Sequence, residues 1–536
     1  MTQLLALITL ISTLALGSPA PAPAVTARTI DLDVATIADI DVAFNAGTLT
    51  SERLVQLCLA RISAYDRQGP SLHAVLTLNP KALETARALD AERKARGPRS
   101  PLHGIPVVLK DNYDTFDMPT TGGSVLLEGS IPSHDAFVVA KLRAAGAIIL
   151  AKLNMSEFAS GGAHSSLGGQ SLNPHDLTRT PSGSSGGTGV AIAAAYAPLG
   201  MGTDTGGSIR GPSTSNGIVG LKPTHGLLSR GGIIPLALSF DTGGPMARSV
   251  YDVAVALGVM TGVDPADAAT AKSEGKFETD YTTFLKADAL KGARIGIARD
   301  FLGADPDVDW VVEAALATMR RAGATVVDVH YPKWLLDARS EFYNAVRYPE
   351  FPAQIADYLA GIGPRYPKTL QQMIDRAQEV NKTRPDGAGP NPSRWTLFLR
   401  EAESGTLEDY RYTSVHDHGL ALMRAAVDGL IASQRLDAIV YPTSSRRPGL
   451  IAETGASGAG GGAPSATNIA NLTGFPDLIV PAGFTGDNLP VGLSFFGPAF
   501  SEPKLLSLGF SFEQATHARR LPVHTPLRPG ESIVVQ

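Results

Sequence analysis

Between Ser182 and Arg210 the chain reads S-G-S-S-G-G, then a run of small residues, then G-T-D-T-G-G-S-I-R. Two glycine turns carry serine: Ser184 and Ser185 lie in the first, Ser208 in the second. A hydrophobic core needs neither so many hydroxyls nor so many glycines. A site where backbone amides approach a substrate oxygen needs both, because glycine permits close approach and unusual backbone angles. The apolar stretch Ala193–Met201 runs straight into the second turn. A strand entering such a turn would project Ser208 together with free N–H groups. Ser208 then suits a nucleophile, and Thr205, Gly206 and Gly207 suit an oxyanion cradle. A tight structural turn is the competing reading of the same residues.

A nucleophilic serine needs a base. His103, His164, His175 and His225 are available, with Asp111, Asp204 or Asp241 as orienters, but none has a recognisable triad context. Gly183-Ser-Ser-Gly-Gly187 matches G-x-S-x-G formally, yet the polar, proline-bounded stretch Asn173–Pro181 precedes it. A nucleophile elbow needs an apolar strand there. Lysine is the other choice. Lys110 ends the apolar run Ile105–Leu109. Burial there would disfavour its charged form and make the amine a base. A lysine snorkelling to the surface, or paired with Asp111, fits equally well.

The 536 residues are 43% hydrophobic and 18% charged, an ordinary composition able to build a sizeable core. A net charge of −5 gives no electrostatic footprint for nucleic acid or an anionic membrane. The one cysteine, Cys58, excludes a disulfide framework within the chain and a cysteine metal cluster. Its spacing from Leu54 and Leu57 marks it as a small buried hydrophobe. No metal site and no cofactor are expected. His416-Asp-His418 reads as the solvated face of an amphipathic helix rather than a metal site.

Leu4–Leu16 has the length of a signal-peptide core, and Ala22-Pro23-Ala24 fits a small-x-small cleavage site. Residues 1–24 are therefore expected to be a signal peptide of an exported, periplasmic or secreted protein, with an uncleaved anchor as the alternative because the segment before Leu4 lacks Lys and Arg, and residues 25–536 one large domain. Helices are expected over Thr50–Tyr65, Lys81–Arg96, Ala136–Ala145 and Asp305–Ala322. Strands are expected at Gly104–Leu109, Ala147–Ala151, Lys291–Ala298, Thr325–Val329, Asp437–Tyr441, Asp477–Val480 and Gly492–Phe496. This grammar predicts an α/β fold with a central twisted mixed sheet covered by helices. Residues 335–430 are more polar and proline-rich, and read as a peripheral, partly helical insertion able to shape a substrate entrance. Residues 455–462 read as a mobile glycine loop.

Taken together, Val108-Leu-Lys-Asp-Asn112, Gly183-Ser-Ser-Gly-Gly187 and Gly202-Thr-Asp-Thr-Gly-Gly-Ser-Ile-Arg210 resemble the amidase signature family. So do Gly217–Thr224, Gly232–Pro235, Asp241–Arg248 and Gly474-Phe-Pro-Asp followed by Pro481-Ala-Gly. The resemblance covers roughly residues 40 to 520. It implies a Ser–cisSer–Lys triad: Lys110 as base, Ser184 after a cis peptide as the bridging serine, and Ser208 as the acyl-forming nucleophile. Ser182 departs from the usual first glycine of G-G-S-S-G-G. The resemblance also sets Ser160 and Gly161 near the bound acyl group, and Gly122 and Gly123 are expected to line the pocket. The overall look is similar to bacterial peptide amidases and broad-range amidases, which implies a small-molecule or peptide amide substrate such as a C-terminal peptide amide or aryl amide. Three alternatives stand beside it: the amidase component of a tRNA-dependent amidotransferase, a carbamate or ester hydrolase, and an inactive binding protein on the same scaffold. Oligomeric state is not fixed by the sequence.

Overall fold

The computed structural model describes residues 28–383, 392–454 and 467–535. The expected signal peptide, 1–24, and the expected glycine loop, 455–462, lie outside the described residues.

Eleven strands build the main sheet. They are β1 (Val75–Leu78), β2 (Pro106–Lys110), β3 (Ile148–Leu153), β4 (Leu199–Asp204), β5 (Val219–Lys222), β6 (Thr242–Ala247), β7 (Arg294–Ala298), β8 (Thr325–Val329), β9 (Ala438–Pro442), β10 (Asp477–Phe484) and β11 (Pro490–Phe496). Their order is β8-β7-β9-β11-β10-β5-β6-β4-β2-β3-β1. Strands β3, β2 and β4 run parallel, as do β8, β7 and β9, while the strands between the two trios pair antiparallel. The sheet is mixed and covered by helices, as the sequence predicts, in a single α/β domain. Arg28–Asp31 and Ser532–Val535 form a separate antiparallel pair.

The expected helices have physical stops and starts. The Thr50 side chain accepts from Arg53 N–H and begins Ser51–Tyr65. Asp305 accepts from Asp307 N–H and begins Pro306–Arg321, where proline occupies the first turn, a position in which its missing donor costs nothing. Cys58 faces inward and is 1% exposed. Burial pushes its thiol up to about 12.

The parallel trio positions the site. Val107 to Leu109 of β2 lie opposite Leu199 to Met201 of β4, so Lys110 emerges beside the end of β4. Carboxyl ends of parallel strands are the usual crevice of an α/β sheet. The first serine turn is brought to the same edge by the helix Gly186–Ala193, whose residues are all buried. The short side chains let backbones nearly touch. A Cβ at Gly187 would stand 2.3 Å from Asn154 O and 2.8 Å from Ala74 O. A Cβ at Gly189 would stand 2.5 Å from Asn216 Nδ2, and one at Gly200 2.7 Å from Thr188 Cγ2.

Since main-chain atoms on two segments block Gly187 and cannot turn aside, Gly187→Ala is expected to destabilise the fold by about 2 kcal/mol or more. A lowered denaturant midpoint without a changed slope checks this.

Candidate active site

Lys110 is fully buried at the end of β2. Its Nζ lies 2.7 Å from Ser184 Oγ, 2.7 Å from Thr203 Oγ1 and 3.3 Å from Thr203 O. Burial pulls the ammonium down to about 7, while the charges of Asp204 and Asp241 oppose the shift. Asn112 Nδ2 donates to the same Thr203 Oγ1 at 3.0 Å. Burial alone does not single out Lys110. Lys152 and Lys222 are as buried. Lys152 pairs with Asp111 at 3.2 Å, and Lys222 donates to Phe475 O at 2.8 Å. Among the described lysines, Lys110 is the buried one that meets a serine hydroxyl.

The Gly183–Ser184 peptide is cis. Ser182 adopts a φ of +64°, a left-handed conformation that glycine takes more readily, which accounts for the glycine usual at that position. Ser185 Oγ accepts from Thr203 N–H and donates to Thr203 O, each at 3.2 Å, which stitches the first turn to β4. Ser185 N–H donates to Ser208 O at 3.2 Å, so the two serine turns lie side by side. Ser208 is half-buried.

The turn after β4 is shaped by Asp204. Its carboxylate accepts from Gly207 N–H at 2.8 Å and Ile209 N–H at 3.0 Å. It also accepts from Arg210 Nε at 3.1 Å and Asn471 Nδ2 at 2.9 Å. Burial alone would raise Asp204, but the Arg210 charge and these bonds outweigh it and hold the carboxyl well below its usual range. The Gly207 N–H, expected in the oxyanion cradle, donates to Asp204 in this structure. Among the described residues, the N–H groups of Thr205 and Gly206 have no protein acceptor.

Arg210 ties this turn to the far strands. It donates to Asp477 Oδ2 at 3.1 Å and to Asn471 Oδ1 at 2.6 Å, and the Tyr441 hydroxyl donates to Asp477 Oδ2 at 2.6 Å. Arg210, Asp204 and Asp477 are fully buried.

Beside the turn lies a small pocket bordered by Asn112, Thr203, Thr205, Asp241 and Leu236. Gly122 and Gly123 sit behind its wall, buried, rather than in the open. Gly122 O accepts from Phe158 N–H at 2.9 Å, and a Cβ at Gly122 would stand 3.3 Å from Phe158 Cδ1. Gly123 N–H donates to Asp111 Oδ2 at 3.3 Å. Ser160 is half-buried and Gly161 exposed.

The helix Lys333–Ala360 presents one face to the turn after β4, to Ser160 and to the loop of residues 236–241. Tyr343, Arg347, Glu350 and Gln354 follow helical spacing. A Cβ at Gly206 would stand 2.8 Å from Tyr343 Oη, and the Tyr343 ring stacks on Phe240 at 5.2 Å. Arg347 donates to Ser160 Oγ at 3.0 Å. Glu350 accepts from Ser239, and Gln354 Oε1 accepts from Leu238 N–H at 2.8 Å. Behind Arg347, Glu401 bridges to Arg394, which lies 4.4 Å from both the Phe351 and Phe398 rings. Sequence reasoning misses Thr203, Tyr343 and Arg347. Thr203 sits inside a quoted motif, but the other two carry no local signal.

The candidate histidines lie elsewhere. His103 contacts Leu89 O at 2.9 Å, His175 contacts Asn216 O at 3.2 Å and His225 contacts Leu238 O at 2.8 Å. Among the described residues no histidine bonds to Ser184 or Ser208. His416 stacks on Tyr412 at 5.0 Å within a π-helical stretch, Ser414–Gly419.

A buried amine, paired serine turns and free backbone amides at the carboxyl edge of an α/β sheet define a serine amidohydrolase. The Amidase family matches residues 53–506, and the chain belongs to that family. It is 39% identical to the native peptide amidase of Stenotrophomonas maltophilia, with a TM-score of 0.84 over 92% of this chain and 99% of that one. It is 36% identical over 503 residues to a Glutamyl-tRNA(Gln) amidotransferase subunit of Chloroflexus aggregans, covering 91% of this chain and 98% of the relative. The solved structure of the corresponding Glutamyl-tRNA(Gln) amidotransferase subunit from Thermotoga maritima is 27% identical, with a TM-score of 0.69 over 92% of this chain and 98% of that one. Among the described residues no helix is long and apolar enough to cross a membrane.

Removing the Arg210 cation would leave two buried carboxylates facing each other. Arg210→Met is therefore expected to destabilise the protein by about 3–5 kcal/mol in chemical denaturation.

Proposed function

We propose that the chain hydrolyses a carboxylic amide through an acyl-enzyme on Ser208, with Ser184 as the bridging hydroxyl and Lys110 as the base. The observation that carries this reading is the fully buried Lys110 amine, 2.7 Å from Ser184 Oγ and held near neutrality. A neutral amine has two N–H bonds and one lone pair. The two contacts to Thr203 use the N–H bonds, which leaves the lone pair for the Ser184 proton.

Lys110 takes the Ser184 proton while Ser184 takes that of Ser208, and Ser208 Oγ attacks the carbonyl carbon. The oxyanion is received by the N–H groups of Thr205 and Gly206. The proton returns along the same relay to the leaving nitrogen, the C–N bond breaks, and the amine departs. Water attacks the ester by the same route and releases the carboxylic acid. No cofactor is required by this sequence of steps.

The substrate is proposed to be a C-terminal peptide amide or an aryl amide. Greater likeness to a peptide amidase than to an amidotransferase subunit of solved structure supports a free-standing hydrolase, and so does a net charge of −5. The curated relative named as an amidotransferase subunit favours the second reading, a component that works on charged tRNA with partners. Turnover of a peptide amide, an anilide, a fatty amide and a p-nitrophenyl ester by the purified chain alone separates the two, because the second reading requires added partner subunits. Export is part of the proposal. Leu4–Leu16 and the Ala22-Pro23-Ala24 site support it, and N-terminal sequencing of exported protein that begins at Val25 tests it.

Ser208→Ala is expected to abolish amide turnover and labelling by a fluorophosphonate probe, with the fold retained. Lys110→Met is expected to lower kcat/KM by several orders of magnitude, about 10³-fold or more. The base must be unprotonated. Wild-type kcat/KM should therefore rise tenfold per pH unit below about 7 and level off above it. A flat profile between pH 5 and 8 would remove Lys110 as the base.

A further inference from the structure

We propose that Asp241 is a positioning residue of the acyl-transfer turn: it locks Thr205 through the threonine hydroxyl, and the helix Lys333–Ala360 locks Asp241 in turn. This rests on the reading of Ser208 as nucleophile and adds a device that sets its cradle.

The turn needs such a device. Asp204 fixes Gly207 and Ile209 from the inner side. Thr205 and Gly206, whose amides are unclaimed among the described residues, gain nothing from that grip. A glycine pair is the least ordered stretch a chain can have, and fixing a residue's backbone costs about 1–2 kcal/mol. A cradle stabilises charge only as far as its donors are aimed in advance.

Asp241 supplies the missing grip. Its Oδ1 accepts from Thr205 Oγ1 at 2.5 Å, a charge-assisted bond. Its Oδ2 accepts from Leu236 N–H at 2.8 Å and Ala237 N–H at 3.0 Å, so both oxygens are held and the carboxylate cannot swing. The loop carrying those amides is itself anchored. Leu238 N–H goes to Gln354 at 2.8 Å and Ser239 N–H goes to Glu350 at 3.1 Å, with a second bond from the Ser239 hydroxyl. Glu350 also accepts from the Tyr412 hydroxyl at 2.9 Å. The same helix sets Tyr343 against Gly206. The cradle is thus held between β4 and a helix that enters the chain more than a hundred residues later.

Thr205→Val keeps the shape and deletes the hydroxyl. It is expected to lower kcat for the best amide of the panel by ~10–100-fold with KM within ~2-fold, because the deleted bond aims donors that meet full charge only in the transition state. Fluorophosphonate labelling of Ser208 should slow in step. Thr205→Ser, which restores the bond, should recover activity to within ~3-fold of wild type, a rescue that a packing defect would not show. Ser239→Ala, one bond further out, should lower kcat by a smaller factor with the same unchanged KM. Should Thr205→Val fail to fold, Thr205→Ala adds no bulk and is read the same way. Unchanged kcat in the variant lacking the hydroxyl, a loss confined to KM, or no rescue by serine overturns the inference alone. Wild-type protein that is active yet unlabelled at Ser208 overturns the underlying reading and this inference with it.

Discussion

The carboxylate of Asp204 is where the sheet, the serine turn and the distant strands are joined. It caps β4, accepts amides from the turn on one side, and meets a guanidinium on the other. Arg210 spans from it to Asp477 at the start of β10, so one buried cation is shared by two buried carboxylates from opposite halves of the sheet. Neither carboxylate would be tolerated alone in that interior. The same negative charge acts on Lys110 and keeps burial from depressing the amine further. One group therefore shapes the backbone at the proposed nucleophile and, together with Asp241, opposes the burial that lowers the proposed base.

Much of the sheet was legible because its strands are short, apolar and bounded by charge or glycine. β2, β3, β7, β8, β9, β10 and β11 appear where the apolar runs put them, and so do the four helices with clear caps or periodicity. β5 and β6 were legible only as motif text, since Gly217–Thr224 and Asp241–Arg248 are too rich in glycine and proline to show an alternating pattern. The helix Gly186–Ala193 is hidden for a similar reason. Its residues serve close backbone approach, and helix propensity is secondary there.

The chemistry was legible in part. A lysine at the end of an apolar run leaves two readings open, and three of the described lysines are in fact buried. Packing decides between them, and a single sequence does not display packing. The sequence does not display that an acidic side chain three positions before Gly207 accepts its amide. The face formed by Tyr343, Arg347, Glu350 and Gln354 has no signal of its own, since its partners lie far away along the chain. Polar composition suggests a region apart, yet its buried Phe351 and Phe398 join Phe158, Leu126 and Ile234 in one apolar cluster behind the pocket. Each buried phenylalanine contributes about 2–3 kcal/mol, which makes the attachment firm.

Cys58 offers a practical consequence. It is buried with Leu54, Leu57 and Ile62 of the same helix and is held as an unreactive thiol. Alkylating reagents meet no accessible sulfhydryl on the native protein. A cysteine introduced at an exposed position, at Trp310 or Tyr410 for instance, would be the single point of attachment for a dye or spin label, with no need to alter the parent chain first.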